Sequence, residues 1–98
     1  LSICVRRRES REIGPRYTPL VPTLHREGPY RIYITSHDMG EPPHVHVDRE
    51  QSSAKFWLSP VRLAYNLGYS ARELRLIEGI LESVERKLLQ GWHDYFGT

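Results

Sequence analysis

Two imidazoles stand two residues apart in the segment Pro42-Pro-His-Val-His46. On an extended strand alternate side chains share a face, so His44 and His46 would point the same way. Histidine changes charge closest to neutral pH, which suits it to general acid and base work. With Lys55 and Tyr33 beside it, such a pair could move protons in RNA cleavage, a reaction that needs no metal. The same spacing can chelate a cation, with His37 or Asp38 as a third ligand. However, no Cys or Glu stands at a recognisable ligand spacing and there is no second His-x-His. Neither a metal nor any other cofactor is therefore expected. Other nucleophilic chemistries find no support: Cys4 has no histidine near it, and there is no glycine-rich phosphate loop. His25 and His93 are isolated and read as surface residues.

The elements that must position these groups are read from periodicity. Residues 30–36, 44–48 and 53–58 are rich in β-branched and aromatic side chains or alternate cleanly, and they predict three strands. The loops between them are short enough for antiparallel neighbours. From Ser59 the pattern reads as helical. Ser59 can cap, Pro60 fits a first helical position, and Gly68 can stop the turn, which predicts a short helix over about 60–66. Ser70-Ala-Arg-Glu73 is a capping box, and Leu74, Ile77, Leu81, Val84, Leu88, Trp92 and Tyr95 form a stripe at steps of three and four. They predict one long helix over about 71–95. The expectation is an α+β domain, a three-stranded antiparallel sheet packed by the short helix and the long one.

Alternation then divides the sheet. Ile32, Ile34, Val45, Val47, Ala54, Phe56 and Leu58 share the face that the long helix should cover. Arg31, Tyr33, Thr35, His44, His46, Lys55 and Trp57 share the other. A register consistent with the loops sets Tyr33, His46 and Lys55 in one cross-strand row, and Thr35, His44 and Trp57 in the next. A slip of one residue would put the histidines in the core. A surface of aromatic, imidazole and cationic groups can stack bases and contact phosphates. On this reading His44, His46, Lys55 and Tyr33 are the candidate catalytic residues, and Arg31, Trp57, Pro42 and Pro43 the candidate binding residues.

Charge limits the nucleic-acid reading. The net charge is +2. Five arginines against two glutamates give residues 1–20 a charge of +3, and nine basic against ten acidic residues leave −1 for residues 21–98. Non-specific affinity for nucleic acid comes from neutralising many phosphates, so the folded part would bind RNA weakly on its own. Residues 1–21, with their basic cluster, Gly14-Pro15 and Pro19, read as a disordered basic extension, and residues 22–98 as one domain. The single cysteine excludes an internal disulfide, no apolar run approaches the length of a membrane span, and the N-terminus is too Arg-rich for a secretory signal. The expectation is a cytoplasmic protein that does not enter a membrane.

Several segments carry a resemblance. Gly28-Pro-Tyr-Arg31, Glu41-Pro-Pro-His-Val-His-Val47, Ala54-Lys-Phe-Trp-Leu58, Gly68-Tyr-Ser70, Trp92 and Tyr95-Phe96 resemble the bacterial family catalogued as domain of unknown function (DUF) 4160. The resemblance covers residues 22–98, and Glu-Pro-Pro-His-x-His is its centre. Members typically begin Met-Pro-Thr where this chain reads Val21-Pro-Thr23, which implies that residues 1–20 lie upstream of the native start. His44-Val-His46 is also similar to the His-x-His-x-His strand of histidine-triad nucleotide hydrolases, but the third position is Asp48 and the nucleophile is missing.

The family resemblance implies a small bacterial protein encoded beside a second short protein, commonly of the family DUF 2442. That arrangement resembles toxin–antitoxin pairs. The β-β-β-α order is similar to small mRNA-cleaving toxins of the double-stranded-RNA-binding type, an analogy of architecture that does not fix function. The expected function is a toxin–antitoxin-like component acting on or near RNA through the histidine face, as a metal-independent ribonuclease if it is an enzyme. The alternative is a non-catalytic interaction or regulatory module, docked on a neighbouring gene's product through Pro42-Pro43 and the histidine face.

Overall fold

Hydrophobic alternation, three two-residue turns and one longer connection over residues 34–43 build a meander. The computed structural model describes residues 21–97. In chain order it contains β1 (Thr23–Glu27), β2 (Tyr30–Tyr33), a single 3-10 turn (Ser36–Asp38), β3 (His44–Arg49), β4 (Ser52–Leu58), β5 (Val61–Leu67), α1 (Ala71–Ser83) and α2 (Glu85–Phe96). Each strand pairs with the next and all pairs are antiparallel, giving one five-stranded sheet in the order β1-β2-β3-β4-β5. The basic extension expected over residues 1–21 lies outside the described residues except for Val21, whose carbonyl accepts a hydrogen bond from Arg31.

The class is the expected α+β, but the sheet has five strands where three were expected. The short helix expected over 60–66 is strand β5. Ser59-Pro60 forms the two-residue connection between the paired residues Leu58 and Val61, so turn chemistry that would also suit a helix start here closes a hairpin. Gly68 ends β5 and turns the chain towards α1. Its φ of +99° and the 2.8 Å that a Cβ would leave to Ser52 Oγ both require glycine. Strand β1, in a stretch without strong alternation, pairs along β2 and carries a bulge between Thr23 and His25.

The long helix is two helices. Val84, at φ −121° and ψ 20°, separates them. Ser83 Oγ donates to Ile80 O at 2.7 Å, a side-chain bond that competes with helix hydrogen bonding. The apolar stripe runs through the break, and Ile77, Leu81, Leu88 and Trp92 are all buried. They join the sheet face of Ile32, Ile34, Val45, Val47, Ala54, Phe56 and Leu58, each at most 1% exposed, in one core. Gly91 lets α2 lie close to β1, since a Cβ there would stand 2.9 Å from Leu24 Cδ2. Three groups lock α1 to the sheet. Arg49 on β3 donates two hydrogen bonds to the Glu73 carboxylate (2.7 and 3.0 Å), and Tyr30 Oη donates a third at 2.7 Å.

Candidate functional site

The register sets the histidine row as the sequence suggests. Tyr33 pairs with His46, and His46 with Lys55. In the next row His44 pairs with Trp57, but Thr35 has left the sheet, because β2 ends at Tyr33 and Thr35 caps the 3-10 turn. That turn carries Asp38 back to β3. Thr35 and Asp38 fix each other reciprocally. The Thr35 N–H donates to Asp38 Oδ2 at 2.8 Å, and Asp38 N–H donates to the Thr35 carbonyl at 3.0 Å.

His44 is not on an exposed surface. Its residue is 0% accessible, which corrects the expectation that both histidines face solvent. Its ring lies 5.1 Å from the Trp92 ring on α2, 5.5 Å from Trp57 on β4 and 5.3 Å from His46. Side chains remote in sequence seal a position that alternation alone would leave open. Nδ1 is 2.9 Å from the Pro42 carbonyl. A carbonyl only accepts, so Nδ1 carries the hydrogen. Nε2 then faces Asp38 Oδ1 at 3.1 Å, yet that contact lacks hydrogen-bond alignment and Nε2 has no hydrogen-bond partner among the described residues.

His46 is the reachable imidazole, its side chain 23% exposed. Its Nε2 is 3.1 Å from Asp38 Oδ2 and 3.3 Å from Oδ1. The Tyr33 ring stacks on it with centroids 5.2 Å apart, and Tyr33 Oη donates to Asp48 Oδ2. Burial, and then the Asp48 charge, push the Tyr33 hydroxyl above its ordinary value. Burial pushes the Asp38 carboxyl up, but the Thr35 N–H and the two imidazoles outweigh it and hold the carboxyl below its ordinary value.

The candidate cations are occupied. Lys55 Nζ donates to Glu41 Oε1 at 2.8 Å and lies 4.7 Å over the Trp57 ring. Its hydrogen bond is the main reason the Glu41 carboxyl sits below its ordinary value. Arg31 lies 4.5 Å over the Tyr33 ring and donates to Thr23 Oγ1. Pro42, Pro43 and Trp57 line a shallow recess with Ser59, Pro60 and Arg62. Asp38 entered the sequence reading only as a candidate third ligand, and neither Glu41 nor Asp48 entered it as a site residue. The Thr35-x-x-Asp38 capping pattern was the available signal for Asp38.

The outer side of β5 completes the picture. It is an edge strand, and only its first residue is buried. Leu63, Tyr65 and Leu67 are 44%, 57% and 54% exposed. Tyr65 pairs with Lys55 and Leu67 with Ser53, so both extend the face that carries His46. No helix among the described residues is long and apolar enough to cross a membrane.

Residues 30–93 match the family model described as Domain of unknown function (DUF4160), and the chain belongs to that family. The matched span includes Asp38, His44, His46, Trp57 and Trp92. No curated protein and no solved structure matches the chain.

Proposed function

We propose that this member of the DUF4160 family is a small interaction module, one half of a toxin–antitoxin-like pair, which holds a second short protein through edge strand β5 and the adjoining sheet face. The observation that carries the reading is β5 itself. Seven residues long, it presents Leu63, Tyr65 and Leu67 to solvent beside an outer edge that no other described strand pairs. Proteins normally blunt such an edge with charges, prolines or a covering element, because it templates pairing with another strand. Strand addition would satisfy those backbone groups, and the exposed apolar side chains would supply specificity. The recess at Pro42, Pro43 and Trp57 flanks the start of the same strand.

Action on or near RNA is the second reading. One observation favours it. His46 is reachable, oriented by Asp38 and stacked on Tyr33, with Lys55 opposite it in the row. A site using both histidines on substrate is disfavoured because the His44 ring has no accessible surface. Lys55 is already paired with Glu41, so the face offers RNA little free positive charge.

Co-expression with the product of the adjacent gene tests both readings. The interaction reading expects a stable complex in size-exclusion chromatography, protection of β5 amides from hydrogen exchange on binding, and loss of the complex in Tyr65→Asp and Leu67→Asp. A domain that binds nothing but degrades transcripts when expressed alone, and stops doing so in His46→Ala, would replace the interaction reading with the RNA one.

A further inference from the structure

The His44 environment poses a problem that its neighbours do not solve. The Pro42 carbonyl fixes a hydrogen on Nδ1, and Nε2 points into a sealed space beside Asp38. Asp38 Oδ1 is 3.1 Å from that nitrogen without hydrogen-bond alignment. His46 Nε2 reaches the same carboxylate from the other side at 3.1 Å. Two imidazole nitrogens and a carboxylate thus converge, one ligand atom from each lying within 4.8 Å of the others. His46 Nε2–H donates to Asp38 in this arrangement, and a cation that displaced that hydrogen would find two imidazole nitrogens and a carboxylate already gathered.

We propose that Asp38, His44 and His46 form a binding site for one divalent transition-metal cation of the zinc and cobalt class. This goes beyond the docking role of β5 and does not depend on it. Tetrahedral coordination at ligand distances of about 2.0–2.1 Å sets donor atoms about 3.3 Å apart, and both imidazole–carboxylate separations already lie near that value. The site also has the outer support that metal ligands need. The Pro42 carbonyl fixes the tautomer and orientation of His44, and the Thr35 N–H holds Asp38.

Imidazole with carboxylate favours zinc, cobalt, nickel or ferrous ions over magnesium and calcium, which take oxygen ligands. Three protein ligands leave at least one position for water or an exogenous group. The way out lies on the side of Asp38 and His46, whose side chains keep 12% and 23% exposure. Trp57 and Trp92 pack on the His44 ring and help to exclude water on that side. His37, beside Asp38 in sequence, is exposed and outside the cluster.

The test uses the full chain, prepared without a histidine tag and stripped with a chelator. Zinc chloride is titrated calorimetrically, cobalt binding is followed by visible absorption, and the zinc-loaded protein is measured by X-ray absorption. The expected result is one equivalent of either metal and a zinc edge spectrum showing imidazole and oxygen ligands. Asp38→Asn and His46→Gln should each weaken binding by tenfold or more, while His37→Gln binds as the parent does. At a hundredfold excess of zinc over its Kd, the melting temperature should rise by about 10 °C or more. The proposal is overturned by the absence of saturable binding, or by affinity unchanged in both Asp38→Asn and His46→Gln. The spectrum of the unmutated chain decides separately from the variants, so a variant that fails to fold cannot shield the proposal. An edge spectrum without imidazole would overturn it too.

Discussion

Replacing Tyr69 with Phe should make the protein less stable at neutral pH and more stable at high pH. Tyr69 follows the turn at Gly68, is 5% exposed, and donates its hydroxyl to Val47 O at 3.0 Å. Burial, and then the charges of Asp48 and Glu73, push its pKa up to about 12. The unfolded chain gives up that proton near pH 10. The neutral phenol is therefore favoured by folding, and the stability it contributes is complete below about pH 10 and lost as pH rises towards 12. Two pH units at about 1.4 kcal/mol each set the loss at between 2 and 3 kcal/mol. Against this, Tyr69→Phe removes one hydrogen bond, which costs about 1 kcal/mol at every pH below the window. The two stability curves should cross near pH 11, by the difference between these magnitudes. Urea unfolding of both proteins at stepped pH reads the crossing directly, because the lysines and the other tyrosines titrate alike in both and cancel. If Tyr69→Phe stays less stable by a constant margin up to pH 11.5, about the practical limit, the hydroxyl is not held neutral by the fold.

His44→Ala should cost about 3 kcal/mol or more in denaturant unfolding, because the ring is sealed and the Pro42 carbonyl would lose its donor; stability near that of the parent would show that the ring does not fill the space between Trp57 and Trp92. Gly79→Ala should raise stability by about 0.5–1 kcal/mol, since a Cβ there meets nothing within 4 Å. Gly91→Ala should gain less or lose, since its Cβ would press on Leu24, and thermal melting ranks the pair. Glu73→Gln should flatten the acid side of the stability curve. Arg49, and then Tyr30, hold the Glu73 carboxyl below its ordinary value, so its contribution is present above the unfolded value near pH 4.3 and disappears as pH falls through the folded one. Parallel curves for the two proteins between about pH 5 and 2 would argue against that linkage.

Where a strand buries one whole face, its alternation was readable. Ile32 and Ile34, Val45 and Val47, and Ala54, Phe56 and Leu58 all reach the core, and the row of Tyr33, His46 and Lys55 follows from that parity and from short connections. The edges were not readable for the same reason. β1 carries Thr23-Leu-His-Arg-Glu27, with no fully buried residue. β5 buries only Val61, and its pairing shifts between Lys55 and Phe56. A shift of this kind breaks strict alternation, and the flanking Pro60 and Gly68 suit a helix as well as a hairpin. The break at Val84 is hidden because the helical stripe keeps its spacing through it.

The candidate site divides along a similar line. His46 keeps the partial exposure that its parity implies, whereas His44, of the same parity, does not. Strand parity describes which way a side chain leaves the sheet and nothing of what closes over it. For His44 the closure comes from Trp92, 48 positions along the chain, and from a capped turn that returns Asp38 to the strand. Neither contact has a period or a fixed spacing that a single sequence could reveal. Once they are in place, the two histidines cease to be equivalent. One has a hydrogen fixed on Nδ1 and its second nitrogen without a hydrogen-bond partner among the described residues, and the other remains within reach of solvent. Two equivalent proton carriers do not require that asymmetry. The proposed metal site would use that asymmetry as an anchored inner ligand and an outer ligand beside an open position.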